Sequence, residues 1–169
     1  MDILEVIRSR RSIRKYGPEP VSEKELDKIL EAGRWAPSAG NRQPWKFIVL
    51  GNAEVREALA ETVPTGRFIS SAPLGIVVTV NPKASGHAIE DGAAATQNML
   101  LEAHSLGLGA CWIGRASGTA NEERAKRILN IPEEENILSI IAIGHPAESP
   151  EKSRRSREEI TFNDSYGRH

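Results

Sequence analysis

The sequence predicts a single domain of the α/β or α+β class, in which helices pack in layers against a sheet of buried strands. A length of 169 residues suits one domain of ordinary size. Hydrophobic residues make up 39% and charged residues 27%, a balance typical of a globular chain with a sizeable core. Segments with helical periodicity alternate with short β-branched runs. We therefore expect residues 1–169 to form one domain.

The first 44 residues predict two helices and a loop. Asp2 caps a short amphipathic helix that reaches about residue 10. Ser22 and Glu25 form a capping box before a second helix, which ends near Gly33. Residues 37–44 (PSAGNRQP) contain two prolines, a glycine and an asparagine, and this composition predicts a loop.

The rest of the chain alternates strands and helices before a polar tail. The predicted elements are strands at Trp45–Leu50, Leu74–Val80, 110–113 and 137–143, and helices at 53–61, 87–106 and 122–129. Residues 149–169 are rich in arginine and glutamate and have no apolar period. We expect them to form a tail that is either disordered or ordered by a structure that it wraps.

The long helix over 87–106 is rich in small residues, which permit close packing against another helix. Asp91 and Glu102 on this helix are interpreted as solvent-facing or interface charges. Cys111 lies in the apolar strand that follows, without a paired base, and is interpreted as a packing residue. Within the helix over 87–106, the apolar spacing predicts a core face formed by Ile89, Ala93, Leu100 and Ala103.

Charge and composition exclude several classes of function. With 22 basic and 23 acidic residues the formal charge is -1, so no overall field draws the chain to nucleic acid or anionic lipid. The longest apolar stretch, residues 137–143, falls far short of the roughly 20 residues that span a bilayer. Glu5 and Arg8 stand where a signal peptide has its apolar core, so we expect a cytoplasmic protein. One cysteine and histidines without ligand spacing disfavour disulfides and a metal site.

The basic residues are concentrated at the two ends of the chain. If both clusters converged on one phosphate, their guanidinium groups would match its oxygens, and Ser12 would add a hydroxyl donor. The alternative is two solvated surfaces. The clusters are Arg8, Arg10, Arg11, Arg14 and Lys15 at one end and Lys152, Arg154, Arg155 and Arg157 at the other.

Two further segments are candidates for ligand binding. Asn41 and Gln43 offer paired donors and acceptors for the edge of a heteroaromatic ring, or they are turn-forming residues ahead of a strand. Residues 107–114 (GLGACWIG) follow a helix and lack the third glycine of a dinucleotide fingerprint, but their glycines can expose backbone N–H groups. Motifs for hydrolytic or metal-assisted chemistry are absent from the sequence.

The order of five segments resembles the FMN-dependent nitroreductase family over nearly the whole chain. The segments are RSRRSIRKY, PSAGNRQPWKF, GAAATQNMLLEA, GLGACWIG and KSRRSREEITF. The resemblance implies an α+β fold with three α/β/α layers and a mixed, mainly antiparallel central sheet. It also implies a homodimer with two FMN sites at the subunit interface. Residues 149–169 would then wrap the partner as a domain-swapped arm, with Ile160 and Phe162 in a short added strand.

The resemblance implies that four segments bind FMN. The N-terminal arginines and serine serve phosphate and ribityl oxygens, and the C-terminal basic pair binds the phosphate. The loop reaches the flavin of the other subunit, and the backbone N–H near Gly114 faces flavin N5. No catalytic side chain and no metal are implied, because the flavin carries the chemistry. The implied cofactor-binding residues are Arg10, Arg11, Ser12, Arg14, Pro37, Ser38, Ala39, Asn41, Trp112, Ile113, Gly114, Arg115, Lys152 and Arg154.

Three departures from the longer bacterial members limit this transfer. Those members have an asparagine that contacts the flavin pyrimidine edge where this chain has residues 65–68 (TGRF). They carry a glutamate where this chain has Gly114, a change of little consequence if a backbone N–H makes the contact. The chain is also shorter and lacks a helical excursion over the active site, so we expect a more open pocket.

The implied activity is hydride transfer from NAD(P)H to flavin N5, followed by reduction of a nitroaromatic, a quinone or a similar small oxidant in a ping-pong cycle. The second proton is expected to come from water. One alternative keeps the fold and changes the reaction to that of a flavin or enone reductase or a reductive dehalogenase. Others are a flavin carrier without turnover and a nucleic-acid or partner-binding module that uses the arginine clusters. The sequence identifies neither the oxidant nor the preferred nicotinamide.

Overall fold

The computed structural model describes residues 2–114 and 119–168. The α-helices and strands predicted from the sequence are present in this part of the chain, with ends that differ by one or two residues. None of the described helices combines the length and the hydropathy that a bilayer crossing requires. In chain order the elements are α1 (Ile3–Ser9), α2 (Glu23–Arg34), a 3₁₀ turn (Ala39–Asn41), β1 (Trp45–Leu50), α3 (Ala53–Ala60), a 3₁₀ segment (Pro64–Ser71), β2 (Leu74–Val80), α4 (Ala88–Ser105), β3 (Gly109–Gly114), α5 (Ala120–Leu129) and β4 (Asn136–Gly144).

The predicted Asp2 cap and the predicted Ser22–Glu25 capping box are confirmed, and Asp2 also forms a capping box, with Glu5. The Asp2 carboxylate accepts the N–H of Leu4 at 3.1 Å, and the Ser22 hydroxyl accepts the N–H of Glu25 at 3.3 Å. The glutamate three residues after each cap accepts the backbone N–H of the cap residue in return. These contacts satisfy N–H groups that have no partner inside the helix, and they fix where α1 and α2 begin.

The strands form one sheet in the order β1-β2-β4-β3, and each neighbouring pair is antiparallel. Beyond the edge strand β3, an isolated parallel bridge joins Ser12 to Ala110. The four strands are therefore antiparallel, and the parallel pairing that a mixed sheet implies is limited to this bridge among the described residues. The central strand β2 is buried along its whole length, which explains why its sequence is a continuous apolar run rather than an alternation.

Both faces of the sheet are covered, which confirms the three layers. On one face, Ile76 and Val78 of β2 join a core with Met99 of α4 and residues of α2. On the other face, Val77 joins a core with Leu59 of α3, residues of α5 and residues of the 3₁₀ segment. Alternate side chains of a strand point to opposite faces, so one strand supplies both cores.

A β-bulge in β4 changes which of its side chains face each layer. The pairing with β2 steps from Ser139 to Ile137, which leaves Leu138 as an extra residue. The bulge resets the alternation of side chains along the strand. Ile137 and Ile140 are three residues apart and nevertheless lie in the same core.

The core face of α4 differs in part from the prediction. Leu100 and Ala103 are buried as expected, whereas Ile89 is 50% exposed. Ala93 is only partly buried, and the buried face instead includes Asp91, Gly92, Ala95 and Met99. At Gly92 the helix comes close to the sheet, since a Cβ there would lie 2.5 Å from side-chain atoms of Val80 and Leu138.

The 3₁₀ segment Pro64–Ser71 was not predicted from the sequence. It has no side-chain cap at its start, and Gly66 inside it departs from helical geometry. Gly66 lies directly against β3, since a Cβ there would stand 2.4 Å from Cγ2 of Ile113. The segment therefore packs on the sheet through a glycine, a contact that apolar periodicity does not reveal.

The tail has no core face in its own subunit, as expected. Residues 151–161 are exposed, and Ile160 lies in a turn in which its N–H donates to Arg157 O at 3.2 Å. Phe162 is partly buried and packs against Tyr166, with 4.7 Å between ring centroids. Among the described residues of the tail no strand is present. The swapped strand stays a prediction for an assembled dimer.

Candidate functional site

The N-terminal arginine segment continues the sheet beyond β3. Ser12 bridges Ala110, and the N–H of Ile13 donates to Ala110 O at 3.0 Å. Ile13 is buried against Gly109, where a Cβ would lie 2.8 Å from the Ile13 side chain. Because alternate side chains of an extended segment face opposite sides, Arg14 lies on the same side as Ser12, away from Ile13.

The buried thiol of Cys111 lies beside this face. Burial raises the pKa of Cys111, and Arg14, Ser12 and Arg10, in that order, act to lower it. These three side chains are therefore close to one point on β3. Cys111 is 2% exposed, in agreement with the packing role predicted for it.

The two ends of the chain meet at Arg10 and Arg154. Partial burial lowers the pKa of Arg10, and the neighbouring guanidinium groups of Arg154 and then Arg11 lower it further. Like charges held together repel each other, which costs stability unless an anion joins them. The guanidinium groups at positions 10 and 154 of the sequence are thus close enough for their charges to interact.

Within the described part of the chain, no carboxylate forms an ion pair with Arg10, Arg14 or Arg154. The guanidinium of Arg154 donates to Ser153 O at 3.0 Å, and that of Arg14 to Ser12 O at 3.4 Å, which leaves further N–H groups on each. Glu148 is the nearby acid, and its Oε1 accepts the backbone N–H groups of Arg14 and Lys15 instead. The ion pairs among the described residues are Arg34–Glu31, Lys46–Glu135 and Arg168–Asp164. The arginine site is therefore suited to an external anion.

Arg11 lies apart from this face. Its Nη1 donates to the carbonyls of Arg8 at 2.6 Å and Arg10 at 2.9 Å, where α1 ends. It also lines a cavity of about 360 Å³ together with Ser9 and His104. His104 is hydrogen-bonded to Ser9 Oγ at 2.7 Å, and burial followed by the charges of Arg10 and Arg11 lowers its pKa. No pattern in the sequence indicated that His104 would be close to the arginines.

An aromatic ring and an open strand end extend the site along β3. The guanidinium of Arg14 stands over the ring of Phe68, 5.9 Å from its centroid. Gly114 at the end of β3 is exposed, and a Cβ on it would meet none of the described residues within 4 Å. Trp112 is partly buried, and Ile113 is buried under Gly66, so the Ile113 side chain belongs to the core.

The remaining residues of the implied site to be located are Arg115, Lys152 and Asn41. Arg115 lies outside the described residues. Lys152 is exposed and precedes Arg154 by two positions in the tail. The Asn41 side chain accepts a hydrogen bond from Gln43 Nε2 at 3.1 Å, so the two amides that the sequence suggested for ring recognition bind each other in the single chain.

The loop 37–44 is held by a buried acid that the sequence analysis misinterpreted. Asp91 in the first turn of α4 is 6% exposed, so its assignment as a solvent-facing or interface charge was wrong. Its Oδ1 accepts the N–H of Ala39 at 2.9 Å, and its Oδ2 accepts the hydroxyl of Ser85 at 2.8 Å. Periodicity could not reveal this burial, because the loop that covers Asp91 comes from a distant part of the chain.

The loop and the arginine face lie at opposite ends of α4. Ala39 is hydrogen-bonded to Asp91 in the first turn of α4, whereas His104 in the last turn is close enough to Arg10 for the charge of Arg10 to act on its imidazole. Thirteen residues of α-helix separate these two positions, which corresponds to roughly 20 Å at 1.5 Å per residue. Within one chain, therefore, the structure brings Arg10, Ser12, Arg14 and Arg154 together and leaves the loop Pro37, Ser38, Ala39 and Asn41 elsewhere.

Comparisons with known proteins agree with this architecture. The Nitroreductase family model matches residues 7–65 and 62–145. A protein of Methanothermobacter thermautotrophicus, provisionally named NADH dehydrogenase/NAD(P)H nitroreductase, is 44% identical over 153 residues, covering 89% of this chain and 80% of that protein.

Two solved structures resemble the chain over nearly its whole length. One, from Parabacteroides distasonis and provisionally named in the same way, has a TM-score of 0.92 and 30% identity, covering 98% of this chain and 99% of the other. The second is a provisional nitroreductase of Desulfovibrio desulfuricans in complex with FMN, with a TM-score of 0.84, 35% identity and 98% coverage of both chains. The match in sequence and the match in fold agree, and this chain belongs to the Nitroreductase family.

Proposed function

We propose that this chain binds FMN at the arginine face and transfers a hydride from NAD(P)H to a small oxidant, such as a nitroaromatic compound or a quinone, in a ping-pong cycle. Its family membership makes it an NAD(P)H-dependent oxidoreductase of the nitroreductase type. The observation that carries the assignment of the site is the meeting of Arg10 and Arg154 without a carboxylate partner among the described residues.

The donor set fits the phosphate of FMN. Arg10, Arg14 and Arg154 offer guanidinium N–H groups, and the Ser12 hydroxyl adds a neutral donor beside them. Guanidinium groups bind phosphate oxygens in pairs, and a phosphate would relieve the repulsion that lowers the pKa of Arg10. Lys152 would add a further positive charge from the tail.

The open end of β3 fits the flavin ring. When bound, FMN supplies the two-electron carrier between nicotinamide and oxidant. The chain contributes position and charge. Arg14, held over Phe68, extends the positive charge of the arginine face toward the flavin ring system. The space around Gly114 leaves room for this planar group. The Tyr16 hydroxyl is partly buried and donates to a backbone carbonyl, and the Cys111 thiol is buried, so we assign the second proton to water.

The complete site requires a second copy of the chain. The loop 37–44 lies roughly 20 Å along α4 from the arginine face, so it contributes to the flavin site of a partner in this proposal. Ile3, Leu4 and Ile7 of α1 and Ile89 of α4 are 46–68% exposed, and such an apolar surface favours burial in an interface. We propose a homodimer in which residues 149–169 wrap the partner.

Anaerobic reduction tests the proposed activity. The purified protein is loaded with FMN, freed of excess flavin and mixed separately with NADH and NADPH without oxygen. We expect the visible flavin bands to bleach with at least one donor and to return when a nitroaromatic or a quinone is added. Steady-state rates at several oxidant concentrations then give parallel double-reciprocal lines. Bands that persist with both donors would contradict the proposal and favour a flavin carrier.

A further inference from the structure

We propose that Asp91 is a positioning residue of the flavin site, which holds the loop 37–44 in the conformation that contacts FMN. This inference rests on the proposed function, because it takes the loop to be part of that site. Asp91 does not touch the flavin in this proposal. It acts through the backbone of Ala39.

The loop has an unusual backbone that requires external support. Gly40, Asn41 and Gln43 all have positive φ angles, between 48° and 56°. For residues other than glycine this region is disfavoured, so the conformation carries a steric cost. Inside the loop, Gln43 N–H donates to Ser38 Oγ at 3.0 Å. A turn that is strained at two non-glycine positions keeps a single shape only when its surroundings fix it.

Asp91 provides this support. Among the described residues, its bond to Ala39 N–H at 2.9 Å is the hydrogen bond that ties positions 38–43 to another element. The other carboxylate oxygen accepts the Ser85 hydroxyl at 2.8 Å, and Ser85 is itself buried at 3% exposure. Ser85 Oγ accepts the N–H of His87 at 3.1 Å. Ser85 therefore holds one oxygen of the carboxylate while the other oxygen contacts the loop.

Stability alone does not explain an acid at this position. The described chain offers Asp91 no cationic partner within ion-pair distance. Burial of a carboxylate without a counter-ion is unfavourable, although its place in the first turn of α4 offsets part of the cost. The same charge makes a strong, directional acceptor for a backbone N–H. The Asp91 carboxylate therefore favours one conformation of the loop 37–44 at a cost in the free energy of folding. This is expected for a residue that supports a binding site.

The test compares FMN affinity with fold stability. Asp91→Ala removes the acceptor, and Asp91→Asn keeps an oxygen for Ala39 N–H. The matched control is Thr96→Val, because Thr96 is fully buried in the same helix, is hydrogen-bonded to Ser139 Oγ at 2.9 Å and has no hydrogen bond to the loop. FMN dissociation constants are measured by flavin fluorescence, and melting temperatures are measured on the apo protein.

We expect Asp91→Ala to weaken FMN binding by about tenfold, the order expected for loss of one charge-assisted hydrogen bond. Asp91→Asn restores most of the affinity, and Thr96→Val leaves it within about twofold at a similar loss of melting temperature. Equal affinities for Asp91→Ala and Thr96→Val at matched melting temperatures would overturn the proposal.

A second measurement needs no flavin. Arg42 lies in the loop and is exposed, so trypsin cleavage after Arg42 in the apo protein reports the loop conformation. We expect faster cleavage at this bond in Asp91→Ala than in Thr96→Val. Should Asp91→Ala fail to fold, Ala39→Pro removes the N–H donor instead, and the extended backbone of Ser38 is compatible with a following proline.

The two measurements separate this inference from the proposed function. If the wild-type protein does not bind FMN, the proposed function fails, while faster cleavage at Arg42 in Asp91→Ala still supports control of the loop by Asp91. If FMN binds the wild-type protein and Asp91→Ala changes neither affinity nor cleavage relative to Thr96→Val, the inference fails alone.

Discussion

Ile13 donates its backbone N–H to Ala110 O at 3.0 Å, and this bond connects the N-terminal arginine segment to the edge of the sheet. The bond places Ser12 beside β3 and sets the side on which Arg10 and Arg14 lie. A loop-like segment of the sequence thereby acquires the alternation of a strand, and its positive charges are held in a fixed geometry.

Gly109 makes this arrangement possible, and Gly109→Ala tests it. A Cβ at Gly109 would lie 2.8 Å from Cβ of Ile13, a β-branched residue with little freedom to move. We expect a loss of about 1–3 kcal/mol in the free energy of unfolding, measured by urea denaturation, together with weaker FMN binding. Gly51→Ala is the control, because its Cβ would meet nothing within 4 Å. Equal stability of the two variants would contradict the account of the Gly109–Ile13 contact.

Local signals in the sequence predicted most of the regular structure. The strands Trp45–Leu50 and Leu74–Val80 have the predicted bounds, because apolar β-branched runs bounded by turn residues leave few alternatives. Both were expected to be buried, but only the two end residues of Trp45–Leu50 are. The capping residues Asp2 and Ser22 likewise fixed two helix starts within a few positions of the chain. These features depend on neighbouring residues, which is why the sequence could predict them.

Features that depend on distant residues could not be predicted in this way. Asp91 is buried by a loop about 50 positions earlier, so its helix pattern alone indicated a surface charge. The 3₁₀ segment packs through Gly66 on Ile113, a contact without periodicity. The two arginine clusters allowed either a shared anion or two separate solvated surfaces, and the choice between these alternatives required the fold.

The contact between the 3₁₀ segment and β3 can be tested by a double-mutant cycle. Gly66→Ala introduces a Cβ 2.4 Å from Cγ2 of Ile113, and we expect it to cost about 1–3 kcal/mol. Ile113→Ala alone leaves a cavity at a cost of about 2–5 kcal/mol. In the double variant the new methyl group occupies part of that cavity, so the combined loss is smaller than the sum. Additive losses in urea unfolding would contradict the predicted contact.

Glu31 is expected to titrate at unusually low pH. Hydrogen bonds from Arg34 and then from the Trp35 indole lower its pKa from 4.5 to about 2. A depressed pKa in the folded state means that the stabilising contact is fully present above pH 4.5 and is lost as the pH falls through about 2. We expect the Trp35 indole N–H resonance to show no inflection near pH 4.5. A midpoint near 4.5 that Glu31→Gln abolishes would contradict this prediction.

The pKa of His104 reports on the charge of the arginine site. Burial and the charges of Arg10 and Arg11 hold it below its ordinary value of 6.5 in the described chain. Binding of the FMN phosphate at Arg10 adds negative charge nearby and raises the pKa of His104. NMR titration of the imidazole with and without FMN measures the change, and His104→Asn assigns the signal. An unchanged value on FMN binding would place the phosphate elsewhere.

The most direct test of the central claim is the FMN affinity of Arg154→Ala, measured by fluorescence titration beside Arg127→Ala. Arg127 is an exposed arginine on α5, in a different layer of the fold. If the two ends of the chain share one phosphate site, Arg154→Ala weakens binding by about tenfold or more, and Arg127→Ala leaves it unchanged. An Arg154→Ala protein that binds FMN as tightly as the wild type and Arg127→Ala would contradict the account.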